Sequence, residues 1–257
     1  MATAVLPELI YPESDGQPMA ETQIHGNTSF DVYSRLTARY AAADDGYVGM
    51  NMFIYWVERQ PHKVLAPDVF VAFGVPNEVR RTYKTWDEGG VFPSVVFEFT
   101  SESSRREDMG TKFATYCDDW RVSEYFLFDP LEEYLDPSLL GYRRTRKGFD
   151  VIKPTKGKLV SKTLGVTLER DGTMLLMRDA TTGKPLLLPA EQQAEDAERK
   201  AEEAERKVDR TVRKVVRLIA ATDQLLAARD AERAAREAAE AEVAKLKAEL
   251  AALRKGT

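Results

Sequence analysis

The chain has 257 residues, 43% of them hydrophobic and 31% charged, with a formal charge of −5 at neutral pH. That size suits one medium domain with an appendage, and the apolar fraction is enough to build a core. One cysteine (Cys117) and two histidines (His25, His62) exclude a disulfide framework, zinc fingers and His-rich metal centres.

The acidic excess lies before Glu191; beyond it, acids and bases are equal in number. Net acidity argues against a broad nucleic-acid surface, although a local basic strip suffices to hold phosphates. Two strips qualify by position: Arg80, Arg81 and Lys84, and Arg143, Arg144, Arg146 and Lys147 with Lys153, Lys156 and Lys158. Taken alone, either reads first as a solvated surface. No apolar run reaches membrane-spanning length, and the first residues lack the charged-then-apolar pattern of a leader. The expectation is a soluble cytoplasmic protein with no membrane contact.

Residues 1–26 carry turn signals and no periodicity, with Tyr11-Pro12-Glu13-Ser14-Asp15-Gly16 as the clearest turn. A helix is predicted from about Thr28 to Ala43, burying Phe30, Tyr33, Leu36 and Tyr40, with Val32 at the edge of that face. Asp44-Asp45-Gly46 ends it. Tyr47 to Trp56 and Val64 to Phe73 read as two strands, and Ser94 to Thr100 as a third. The third is apolar except for Glu98, the pattern of a central strand buried on both faces. Ser104-Arg105-Arg106-Glu107 has capping-box spacing, so a helix is predicted from Arg105 to about Asp119. Glu124 to Asp129 reads as a fourth strand, and Tyr142 to Leu188 as further strands reversing at Gly148, Gly165, Gly172 and Gly183.

From about Glu191 to Lys255 there is no Pro or Gly, and Ala, Glu, Arg, Lys and Leu dominate. That is a helix of about 100 Å at 1.5 Å per residue. Val208, Val212, Val215, Ile219 and Leu226 form one heptad-like seam, with Thr222 polar within it. Val243, Leu246, Leu250 and Leu253 form another. Between them the seam is mostly alanine and its register slips. A coiled coil and a lone charge-laced helix both fit.

Two acids stand where solubilising residues do not belong. Glu98 lies in Val95-Val96-Phe97-Glu98-Phe99, and Asp68 in Leu65-Ala66-Pro67-Asp68-Val69-Phe70-Val71. A carboxylate in a buried strand is costly unless paired or bound to a cation. Two on adjacent strands can share one hard cation, Mg2+ or Mn2+, the usual equipment for phosphodiester hydrolysis. On the following helix Asp108, Lys112 and Tyr116 share a face, which puts a lysine within reach of Glu98 if that face looks inward. The plainer alternative is that Asp68 caps a turn and Glu98 pairs with Lys112 as a structural salt bridge.

These residues in combination resemble a known family. Ala66-Pro67-Asp68-Val69, Glu98-Phe99-Thr100-Ser101, Arg105 through Lys112 to Tyr116, and Glu124-Tyr125-Phe126-Leu127-Phe128-Asp129-Pro130 resemble the Uma-two family, described as restriction endonucleases of the PD-(D/E)XK superfamily. Tyr11 to His25 resembles the N-terminal part of one branch, and the resemblance spans roughly residues 8 to 188. It implies a restriction-endonuclease-like α/β core with a mixed central sheet flanked by helices, a divalent metal (Mg2+ or Mn2+) held by Asp68 and Glu98, and cleavage of DNA. Asp68 falls on the Asp of the motif and Glu98 on its second acid. Thr100 stands where the motif lysine is expected, and Lys112 falls on the helix position to which the family's lysine has moved. Gln17 replaces a glutamate frequent after Asp15-Gly16, which leaves Glu21 as a candidate for that acidic role. His25 falls on a histidine frequent in the region, which serves either a helix-entry hydrogen bond or substrate.

The expected organisation is a nuclease-like domain over 1–188 and a helical coiled-coil tail over 189–257. Two functions follow: a metal-dependent DNA endonuclease, or a non-catalytic assembly protein on a nuclease-like scaffold. In both, the tail is a candidate for homodimer or higher oligomer formation, and a means of bringing two sites together.

Overall fold

The computed structural model describes residues 9–14, 16 and 22–255, with side chains as far as Leu250. Gln17 and Glu21 lie outside the described residues, as does the side chain of Leu253. Two compact units divide between Glu191 and Gln192.

The first helix, α1 (Gln23–Tyr40), begins five residues before its predicted start. Thr22 caps it by accepting the His25 N–H. Its buried face also differs from the expected one. His25, Thr28, Ser29, Val32 and Leu36 are buried, whereas Phe30 is 59% exposed. Thr28 and Ser29 bury without penalty because their hydroxyls bond Ile24 and His25 carbonyls one turn back.

Both long strand-like runs are split. Tyr47 to Trp56 divides into β1 (Gly46–Met50) and β2 (Ile54–Tyr55). Asn51 breaks it with a φ of 46° and turns its N–H onto the Pro67 and Asp68 carbonyls. Val64 to Phe73 divides into β3 (Val64–Leu65) and β4 (Val69–Phe73), with Asp68 at the bend before β4. Pro67, which has no N–H to donate, stands in the gap. A short β5 (Tyr83–Lys84) joins β2 and β3 in a small sheet.

β6 (Val95–Phe99) is the predicted central strand, and each of its residues is buried. The predicted helix after it is interrupted. α2 (Arg105–Asp108) and α3 (Thr111–Ala114) are separated at Gly110, and a π-helical turn (Thr115–Asp119) follows. The capping box does not form. Ser104 makes no cap bond and instead donates to Asp108 Oδ2 at 2.7 Å. β7 (Glu124–Phe128) then pairs with β6 in parallel.

β8 (Leu139–Thr145) and β9 (Gly148–Val151) complete a six-stranded sheet of order β1-β4-β6-β7-β8-β9, antiparallel except at β6–β7. β10 (Leu159–Ser161), β11 (Val166–Asp171) and β12 (Met174–Asp179) form a separate antiparallel sheet. The tight β11–β12 reversal places Gly172 at φ 58°, a conformation that favours glycine.

Strand alternation sorts the core. Val95, Phe97 and Phe99 point to one face, with Val32 and Leu36 of α1 and Val166, Leu168, Leu175 and Met177 of the small sheet. Val96 points to the other, with Phe70, Tyr83, Tyr116, Trp120 and Tyr125. Glu98 shares the parity of Val96, so it faces the α3 and π-turn side. The small sheets and helices thus cover both faces of β6, as its unbroken apolar run requires.

The second unit is α4 (Pro189–Lys255), a single helix of 67 residues. Both predicted seams lie exposed along it: Val212 is 52% exposed, Ile219 56% and Leu246 55%. Among the described residues no helix is long and apolar enough to cross a membrane.

Candidate active site

Glu98 is 1% exposed on the central strand, and both of its oxygens are engaged. The Tyr116 hydroxyl donates to Oε1 at 2.6 Å, and Lys112 Nζ donates to Oε2 at 3.0 Å. Lys112 also donates to Asp108 Oδ1 at 3.0 Å, and Asp108 is buried too. The expected face of Asp108, Lys112 and Tyr116 therefore survives the break at Gly110 and looks at Glu98. Asp108 is further held by Ser104, while its carbonyl accepts the Tyr125 hydroxyl at 3.0 Å.

Asp68 approaches from the strand on the other side. Its backbone carbonyl accepts the Asn51 N–H, and its Oδ2 accepts the Phe99 N–H at 2.7 Å. The β4–β6 ladder ends at Val69–Phe97, so the side chain of Asp68 takes over from the backbone where pairing stops. His25 Nε2 lies 3.4 Å from the same oxygen. One carboxylate oxygen of Asp68 is thus engaged across the strands by a β6 N–H.

Electrostatics bind these groups together. Burial pushes the Glu98 carboxyl well above the usual carboxylate range; Lys112 opposes this, and the Asp68 and Asp108 charges add to it. Burial also raises Asp108, against the pull of Lys112 and Ser104. Desolvation alone would lower the Lys112 ammonium, but Glu98, Asp108 and Asp68 more than reverse it, so it stays charged. Burial and the Glu98 carboxylate push Tyr116 up, keeping its hydroxyl a donor. Three acids thus surround one lysine in a poorly solvated space.

A cavity of about 590 Å³ opens beside them, with Thr22, His25, Asp68, Thr100, Lys112 and Tyr134 among its lining residues. Glu98 sits behind this wall and does not line it. Thr100, in the slot where a motif lysine was expected, is buried, and its Oγ1 has no hydrogen-bond partner among the described residues. Among the described residues no group of three or more His, Cys, Asp or Glu is arranged to hold a metal ion. Glu21 lies outside the described residues, and the structure bears on no role for it.

Sequence reading passed over the Asp129 loop at the rim. Asp129 is fully buried and accepts the N–H groups of Leu131, Tyr134 and Leu135, so it sets the loop that carries Tyr134 to the cavity. The Asp-Pro pair at 129–130 was the available signal. Parts of both basic strips are paired within the chain, while Arg146, Lys147, Lys153 and Lys156 stand exposed. Arg80 pairs with Glu88, Arg81 with Glu13 and Lys84 with Asp87. Arg143 pairs with buried Glu124, Arg144 donates to the Cys117 carbonyl, and Lys158 pairs with Glu169.

A family model described as "Uma2: Putative restriction endonuclease" matches residues 6–160. The chain belongs to the Uma2 family. The match takes in Asp68, Glu98 and Lys112 and ends within β10, short of the 188 expected from motifs. Among solved structures, one described as a putative nuclease belonging to DUF820 from Anabaena variabilis ATCC 29413 is 15% identical over 62% of this chain and 86% of that chain. Its TM-score of 0.42 is too low to carry an argument. No curated protein matches the chain.

Proposed function

We propose that this Uma2 protein is a divalent-metal-dependent DNA endonuclease that hydrolyses phosphodiester bonds with Asp68, Glu98 and Lys112. The observation that carries this reading is a lysine at the wall of an open cavity, beside Asp68 on the same wall and 3.0 Å from Glu98 and Asp108 behind it. With the acids ionised, their charge exceeds that of Lys112 by two, the amount a divalent cation balances. The donors would be hard oxygens, from Asp68, Glu98 and the Thr100 hydroxyl, which has no partner among the described residues, a set that suits Mg2+ or Mn2+. Such an ion, when bound, polarises a phosphate and lowers the pKa of a coordinated water.

The side chains then divide the work. Asp68 and Glu98 would hold the cation. Tyr116 fixes the Glu98 carboxylate by donating to Oε1. Lys112, 12% exposed at the cavity wall, keeps its proton and stabilises charge growing on the phosphate. Asp108 and Ser104 steer Lys112, and His25 braces Asp68. Incubation of supercoiled DNA with Mg2+ or Mn2+ should yield nicked or linear product. Asp68→Asn, Glu98→Gln and Lys112→Met should each reduce it at least about a hundredfold. Calorimetric Mn2+ binding should be lost in Asp68→Asn. Cleavage that survives all three substitutions would sink the assignment.

One observation favours a second reading: both Glu98 oxygens are already taken within the chain. A scaffold protein assembling through α4 would need nothing more of them. It predicts no Mn2+ binding, and loss of self-association when the chain is cut at Pro189. In either reading the apolar stripes of α4 form a self-association surface, as a coiled coil.

A further inference from the structure

The seam of α4 slips register in its middle, yet the slip has a symmetry. Taken three or four residues at a time, the seam runs through Ala197, Ala201, Ala204, Val208, Val212, Val215, Ile219 and Thr222, and on through Leu225, Ala228, Glu232, Ala235, Ala239, Val243, Leu246 and Leu250. The order of three- and four-residue steps is the same read in either direction from a point between Asp223 and Gln224. The slip is the run of consecutive three-residue steps from Ile219 to Ala228, which straddles that point.

A second copy of the helix laid antiparallel about this point meets the first with complementary sizes. Leu250 faces Ala197, Leu246 faces Ala201 and Val243 faces Ala204. Nearer the centre, Val208 faces Ala239, Val212 faces Ala235 and Ile219 faces Ala228. In these six pairs a large side chain opposes an alanine, so one interaxial distance serves them all. A parallel in-register pair opposes alanine with alanine and then valine or leucine with its like. Its ideal spacing would shift within the roughly 8–10 Å range of helix pairs. Two positions depart from the rule, with Val215 facing Glu232 and Leu225 facing Thr222.

Charge agrees with size. Residues 206–217 hold six Lys or Arg against the single acid Asp209. Their antiparallel partners, residues 230–241, hold four Asp or Glu against Arg233 and Arg236. A parallel pair would set the basic block against itself, the arrangement that costs most. In the single chain the large seam residues stand about half exposed: Val208 62%, Val212 52%, Val243 50% and Leu250 53%.

We propose that α4 pairs with α4 of a second copy of this chain as an antiparallel two-helix coil whose twofold axis passes between Asp223 and Gln224. This rests on the self-association reading above and adds its direction. At 1.5 Å per residue, the two copies of Glu191 on the paired helices stand about 100 Å apart.

Sedimentation velocity on the full chain reports whether it self-associates, and cysteine cross-linking reports in which direction. Chains carrying Ala197→Cys and chains carrying Leu250→Cys should link when mixed under oxidising conditions, and neither should link to itself. The unsubstituted chain, whose Cys117 is buried, is the control. Ala201→Leu should weaken the dimer at least tenfold, because Leu would meet Leu246; in a parallel pair the same change replaces Ala–Ala by Leu–Leu and strengthens it. A chain that stays monomeric, or an assembly of more than two chains, overturns the pairing. Self-linking of Ala197→Cys overturns its direction, and an internal link in a chain bearing both cysteines overturns the pairing with a second copy.

Discussion

Replacing Lys112 by methionine keeps the side-chain length and removes the cation among three acids. Its ammonium lies 3.0 Å from both Glu98 and Asp108, whose side chains are each 1% exposed. At an effective dielectric of about 20, a charge pair at that distance is worth about 5 kcal/mol before desolvation is counted. Removing one partner of a buried pair leaves the other stranded and costs about 3–5 kcal/mol in practice. Two carboxylates are stranded here, and the lysine is only 12% exposed, so solvent screens little of the loss. The expected destabilisation is about 3–5 kcal/mol, a large share of the 5–15 kcal/mol typical of a domain. With an m-value of about 2 kcal/mol/M, the urea midpoint falls by about 2 M. Adding Glu98→Gln to Lys112→Met removes one stranded charge while leaving an acceptor for Tyr116. The double variant should therefore be at least about 1 kcal/mol more stable than the sum of the single losses predicts. A loss below about 1 kcal/mol for Lys112→Met, or strict additivity in the double variant, refutes the coupled acid–lysine cluster.

Three further outcomes follow from the packing. Glu124 is fully buried and accepts from Arg143, Ser161 and the N–H groups of Lys162 and Thr163, so Glu124→Ala should cost about 3–5 kcal/mol in urea denaturation. Gly49 lies opposite Phe70, and a Cβ there would sit 2.3 Å from the ring, so Gly49→Ala should cost about 1–3 kcal/mol by the same assay. Hydrogen bonds from the Thr182 backbone, then Arg39 and the Thr182 hydroxyl, hold the Asp179 carboxyl down at about 2. Its folded value lies below its unfolded one, so its stabilisation is complete above about pH 4 and lost as pH falls toward 2. The melting-temperature gap between the parent chain and Asp179→Asn should accordingly be level at neutral pH and close below pH 4.

The cluster was legible where chemistry and local spacing coincide. An acid inside Val95-Val96-Phe97-Glu98-Phe99 is too costly to be incidental, and helical spacing alone put Lys112 and Tyr116 on one face with Asp108. That Asp68 would spend one oxygen on the Phe99 N–H was not legible, because it depends on where the β4–β6 ladder ends. Nor was the split of the Tyr47 to Trp56 run, since nothing in its composition announces a left-handed Asn51. The buried face of α1 was misread because the helix carries apolar residues around much of its circumference. The sheet selects Val32 and Leu36, and Phe30 is left outside.

By itself the sequence determined which segments are apolar strands, which acid sits in the central one, and that the last quarter of the chain is a helix. Those properties follow from side-chain chemistry at short range, through burial cost, alternation and helix propensity. Only the tertiary structure decided that Glu98 is sealed behind the cavity wall while Asp68 and Lys112 reach it, that Asp108 makes a third acid, and that Arg80, Arg143 and Lys158 of the basic strips pair with acids of this chain. These are relations between residues far apart in the chain, set by strand register and by where each backbone ladder stops.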